Sequence, residues 1–216
     1  MDKNQLKQVG ISNRKKFRQA IQQGDKEKAL ALLDETARNE AKLRTAIVSG
    51  VDVLLSFIGD RMGEEAVYEA MRAWYNKELK SFVGSEAGEP DAEKRMIKRA
   101  YIWTGLHDVD ISVEEDDEKF TVKFPCDTGG MLVAKGTCGK TKDEHFWANQ
   151  EKGIAYYCTH CTVSYQVMFA EDFGFPNFIV SPPKKAGDLC VQRIYKDSAK
   201  IPTEYHKRFP KRKPKA

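Results

Sequence analysis

Near residue 106 the hydrophobic repeat of this chain changes from steps of three and four to steps of two, and that change decides the fold class. Upstream, Leu30, Leu33 and Ala37 recur at helical spacing behind Asp25, a residue suited to an N-cap. Leu43, Ile47, Val51, Leu54 and Ile58 continue the pattern. Val67, Met71, Trp74 and Phe82 predict another helix, with Gly84 as its terminator. The stretch 85–90 reads as a loop. Asp91 is placed to cap a further helix carrying Met96, Ile97, Ala100 and Trp103, which stops near Gly105. Downstream, Val109, Ile111 and Val113 alternate, as do Phe120, Val122 and Phe124. The acidic run 114–118 between them predicts a β-hairpin with a solvated tip. A helix from Cys158 to about Asp172, a strand over 178–180 and a closing strand over 187–195 follow. The expected class is α+β, with an N-terminal helical half packed on a C-terminal antiparallel sheet.

This reading divides the chain into a polar opening segment (1–24), a helical subdomain (25–106), an antiparallel α+β subdomain (107–197) and a basic tail (198–216). Six of the last ten residues are basic, and without them the remainder carries a small net negative charge. A body of that charge argues against a dedicated nucleic-acid surface. No apolar run approaches the ~20 residues needed to cross a bilayer, so no membrane is expected. The start, Met1-Asp2-Lys3-Asn4-Gln5, lacks the apolar core of a signal peptide, and a cytoplasmic location is expected.

All five cysteines lie after residue 125: Cys126, Cys138, Cys158, Cys161 and Cys190. An odd count without an export signal is poor material for a disulfide framework. The informative motif is Cys158-Thr159-His160-Cys161. Two cysteines three apart present both sulfurs to one ion, above all at a helix start, where free N–H groups favour the thiolate. Zinc takes four such ligands in a tetrahedron, so partners must come from elsewhere. Cys126 at a strand end and Cys190 at the opening of the last strand supply them, with Cys138, in a loop, as the substitute for Cys190. The expected metal set is Cys126, Cys158, Cys161 and Cys190, with a helix from Cys158 as the metal-site helix. Inert buried thiols and a Cys158/Cys161 redox pair are the competing readings.

Three histidines compete for roles. His160, inside the motif, points away if both flanking sulfurs bind, or else ligates beside Cys161. His145 lies in a charged loop and is expected in solvent. His107 precedes the hairpin and is either a general base near the cleft between the halves or an ordinary turn residue. Asp127, beside Cys126, either orients a bound water or caps the Gly129-Gly130 turn. His107, His160 and Asp127 are thus the catalytic candidates. Tyr156, Tyr157, Phe169, Phe173 and Phe175 line a pocket or, by default, pack the core.

The layout, with a helical first half, an antiparallel sheet, a Tyr157-Cys158-x-x-Cys161 helix start and Gly187-Asp188-Leu189-Cys190 before a closing strand, resembles the L-2-amino-thiazoline-4-carboxylic acid hydrolase-like family. It resembles more distantly the ligand-binding domains named after 4-vinyl reductase. The resemblance covers about residues 26–196. It implies an α+β fold with a small-molecule pocket and metal-assisted hydrolysis of a small carboxylate or heterocycle. The expected function is a zinc-dependent, hydrolase- or lyase-like enzyme acting on a small organic molecule. A non-catalytic, zinc-stabilised ligand-binding or sensory protein is the alternative, and a thiol-redox protein the third. The expected partners are a small-molecule substrate or ligand and a second copy of the chain in a homodimer.

Overall fold

The computed structural model describes residues 11–81, 89 and 91–206. The polar start before residue 11, most of the 85–90 loop, Phe82, the terminator Gly84 and the basic run from residue 207 onward lie outside the described residues. The chain divides into two compact units, Met1–Ile47 and Val48–Ala216. The expected change of architecture at residue 106 falls inside the second.

The first unit holds helix α1 (Asn13–Gln22) and the opening of the long helix α2 (Lys26–Met62). Asp25 caps α2 as expected, its Oδ1 accepting from the Lys28 amide at 3.1 Å. The buried face differs from the expected one. Ala29 and Leu32 pack with Ala20 and Phe17, while Leu30 and Leu33 are exposed. The turn through Gly24, at φ +72°, brings α1 back over α2 and selects that face.

In the second unit α2 turns Val51 and Ile58 of the expected stripe to the core but buries Val48 and Leu55 in place of Leu54, which is exposed. Helix α3 (Glu64–Trp74) continues into a π-helical turn (Tyr75–Leu79) and buries Val67, Met71 and Tyr75. Helix α4 (Ala92–Tyr101) continues likewise through Ile102–Leu106. Asp91 caps it, accepting from the Glu93 amide at 2.9 Å and the Lys94 amide at 3.4 Å. Its buried stripe is Ala92, Arg95, Arg99 and Trp103, whereas Ile97 is exposed. The helix therefore sends two arginines inward where apolar side chains were expected.

Strands β1 (Ser112–Glu115) and β2 (Lys119–Phe124) form the predicted hairpin. Its tip is solvated. Asp116 closes the turn by accepting from the Glu118 and Lys119 amides, both at 2.8 Å. With β3 (Ile179–Ser181) and β4 (Cys190–Tyr195) they make one antiparallel sheet in the order β1-β2-β4-β3. Phe120, Val122 and Phe124 of β2 face Ile194, Gln192 and Cys190 of β4 across the ladder, and all six are buried. Because side chains alternate along a strand, Cys190, Gln192 and Ile194 share the inward face. The Gly129-Gly130 pair opens a short helix, α5 (Gly129–Lys135), after β2. Residues 159–173 form α6, a helix whose middle, Thr162–Met168, is π-wound and wholly buried. The fold is α+β, as expected. Among the described residues no helix is long and apolar enough to cross a membrane.

Candidate metal centre

Cysteines from three separate parts of the chain meet at one cavity. Cys126, Cys158, Cys161 and Cys190 all line a small space of about 20 Å³, enough for a water or an ion. The rest of its wall is mainly apolar, with Trp103, Val180, Pro182 and Pro183, and His160 also faces it. The sulfurs arrive on three supports. Cys126 follows β2, Cys190 opens β4, and Cys158 and Cys161 sit on the turn that starts α6. Cys138, the substitute proposed for Cys190, is not among the lining residues and lies in its loop within electrostatic reach of Asp52.

The two glycines after β2 make this convergence sterically possible. A Cβ on Gly129 would stand 2.4 Å from the Cys158 sulfur, and one on Gly130 would stand 3.1 Å from the Cys126 Cβ. No side chain fits at Gly129 without displacing Cys158. The sequence marked this pair as a turn, and the structure shows what the turn clears.

Two of the four thiols have a polar neighbour. The Cys126 sulfur lies 3.3 Å from Thr128 Oγ1, and the Cys161 sulfur 3.3 Å from His160 Nε2. Burial pushes the Cys126, Cys158 and Cys190 thiols above their ordinary range, and repulsion between neighbouring thiolates adds to it. Burial also pushes Cys161 up to about 11, with the charge of Arg99 opposing. Among the described residues no three His, Cys, Asp or Glu side chains are placed so that they could together hold a metal ion.

Of the two positions expected for His160, turned away from the sulfurs or beside Cys161, its ring takes a place in the cavity wall with Nε2 3.3 Å from the Cys161 sulfur. Its Nδ1 lies 2.6 Å from the Tyr157 carbonyl, which can only accept, so Nδ1 carries the proton and Nε2 presents a lone pair. Burial draws its pKa down to about 4, keeping the ring neutral. An imidazole that donates one nitrogen to a carbonyl and offers the other to a cation is the usual support of a metal-bound histidine.

His107 and Asp127 meet outside the wall. His107 Nδ1 donates to Asp127 Oδ1 at 2.9 Å. The imidazole packs on Trp103 at 4.6 Å between centroids, and Trp103 is part of the cavity wall. Asp127 is thus engaged by a histidine, a partner that neither sequence reading had named. His145 departs from expectation too. It is half-buried, stacked on Trp147 and 2.5 Å from Glu64. Tyr156, Tyr157 and Phe169 are core residues, Phe175 packs against the core and Phe173 is partly exposed; none of the five lines the cavity.

Two residues beside the site escaped the sequence reading, Arg99 and Gln192. The signals were present. Gln192 alternates with Cys190, and Arg99 sits four residues before Trp103 and four after Arg95. Compared with protein-family models, with curated proteins and with solved structures, the chain matches none.

Proposed function

We propose that this chain binds zinc in the cysteine cavity and acts there on a small organic molecule, with hydrolase- or lyase-like chemistry. The observation that carries the reading is the convergence of four thiols from separate parts of the chain on one cavity. Apolar packing needs small residues at such positions, not sulfur at all four. A cysteine side chain turns about a single bond, so closing a shell around an ion requires only local rotations, coupled to proton release. Cys126, Cys158, Cys161 and Cys190 would hold the ion, and His160 Nε2 is an available substitute for one of them. When bound, zinc supplies Lewis acidity and a lowered pKa for an associated water. The His107–Asp127 pair is built to accept and return a proton beside the cavity.

One observation favours the non-catalytic alternative: four thiols suffice to fill a tetrahedron, leaving no open position. The thiol-redox reading gains no support, because a reactive dithiol needs a depressed thiol pKa, whereas burial raises both members here. Elemental analysis with X-ray absorption on the purified chain separates the readings. One zinc per chain with sulfur and at least one nitrogen or oxygen ligand is expected. Four sulfurs alone would leave the stabilised, non-catalytic protein, and a chain that retains no metal and forms a reversible Cys158–Cys161 disulfide would overturn the proposal.

A further inference from the structure

Arg99 is only 3% exposed. Its guanidinium lies over the rings of Tyr165 at 4.2 Å, Phe178 at 4.6 Å and Trp103 at 5.4 Å. Its Nε donates to Gln192 Oε1 at 3.0 Å, and the same oxygen receives Trp103 Nε1 at 3.4 Å. Both connections lead to the sulfur cavity. Trp103 is part of its wall, and Gln192 stands two residues from Cys190 on the same face of β4, opposite the wall residue Val180.

We infer that Arg99 is the built-in counter-charge of the sulfur cavity, balancing the net negative charge that several thiolates leave around one divalent ion. The inference rests on the reading of the cavity as a metal centre. A guanidinium in a low-dielectric core gains most from a nearby anion, and a thiolate-rich centre gains equally from a fixed cation. The aromatic rings and Gln192 fix where the charge sits, so Arg99 is a positioning residue and not a ligand.

The test is zinc affinity, measured by competition with a chromophoric chelator on the full chain, for wild type, Arg99→Met and Arg99→Lys. The neutral variant should bind zinc roughly tenfold more weakly or worse, and the charged variant should recover most of the loss. A purely structural arginine would lower the melting temperature of the metal-free protein and leave the zinc affinity of Arg99→Met unchanged, and that result overturns the inference while the metal reading stands. A wild-type chain that binds no zinc removes the metal reading itself, and this inference with it. If metal-free Arg99→Met fails to fold, Arg99→Lys decides. Near-wild-type affinity supports the counter-charge, whereas affinity at least tenfold weaker in a folded Arg99→Lys overturns it.

Discussion

Two buried regions of the second unit solve opposite problems. At the start of α3 a single carboxylate, Glu64, gathers donors around itself. The Lys142 amide donates at 2.6 Å, the Tyr156 hydroxyl at 2.9 Å and the Asp143 amide at 3.3 Å, with His145 at 2.5 Å. Burial alone would push Glu64 up, but these hydrogen bonds outweigh it and leave the carboxyl below its ordinary value. In the cysteine cavity no donors are gathered around an anion. Four thiols stand in a mainly apolar wall, every one raised by burial. The contrast teaches what to expect of each. A charge already surrounded by donors is finished, and its role is to fasten the 140–156 loop to α3. A set of donors held in their neutral forms is unfinished, and on the proposed reading a cation would complete it.

The comparison breaks most visibly if the sulfurs are removed. Replacing Cys158 and Cys161 together by serine should lower zinc affinity by at least about a hundredfold, since even outer partners of metal ligands cost 10–100-fold. The Glu64 region should be untouched. Chelator competition measures the first, and hydrogen exchange of the Lys142 and Asp143 amides, which donate to Glu64, reports the second. Equal zinc content in variant and wild type would leave the cavity without its proposed role. Next in size is Glu64→Gln. It turns one acceptor oxygen into a donor facing the Lys142 amide, Tyr156 or Asp143, and should cost about 1.5–3 kcal/mol in chemical denaturation, with zinc affinity unchanged. A loss of zinc binding in this variant would show that the two regions are coupled. Gly129→Ala should cost about 1–3 kcal/mol by overpacking against the Cys158 sulfur and should also weaken zinc binding. If it folds and binds like wild type, the closeness of Gly129 to Cys158 is irrelevant to the site.

The two regions also differed in how far the sequence disclosed them. The sulfur set was legible because cysteine is scarce and its spacing around Cys158 and Cys161 has a chemical meaning independent of fold. The caps at Asp25 and Asp91 and the hairpin were legible because each is written in adjacent residues. What failed depended on packing partners. Periodicity finds a helical stripe but not which of two adjacent stripes is covered, so Leu30 and Leu33 were assigned inward where Ala29 and Leu32 are. Arg95 and Arg99 were passed over because arginine ordinarily marks the wet face. Their burial depends on acceptors some 80–100 residues away, the carbonyls of Asn177 and Tyr195 for Arg95 and Gln192 for Arg99. The Glu64 cluster stayed hidden for the same reason. Lys142, His145 and Tyr156 reach it across about 80 residues, and no local pattern encodes that.

The smallest expected effect sharpens the contrast through pH. A carboxyl held below its ordinary value takes up its proton later in the folded chain than in the unfolded one. Below about pH 4.5, the ordinary value for Glu64, the unfolded state therefore binds more protons. The stabilisation from Glu64 is complete above that pH and is lost as pH falls through the folded value. The stability difference between wild type and Glu64→Gln should accordingly be constant from pH 7 to pH 5 and shrink on further acidification. The raised thiols stay protonated throughout this range in both states, so metal-free Cys158→Ser/Cys161→Ser should keep a pH-independent difference from metal-free wild type. Denaturant midpoints of the three metal-free proteins between pH 3.5 and 7 decide the matter. Parallel curves for wild type and Glu64→Gln would mean that the Glu64 carboxylate is no better held in the fold than in water, and the distinction between a finished charge and an unfinished donor set would lose its first half.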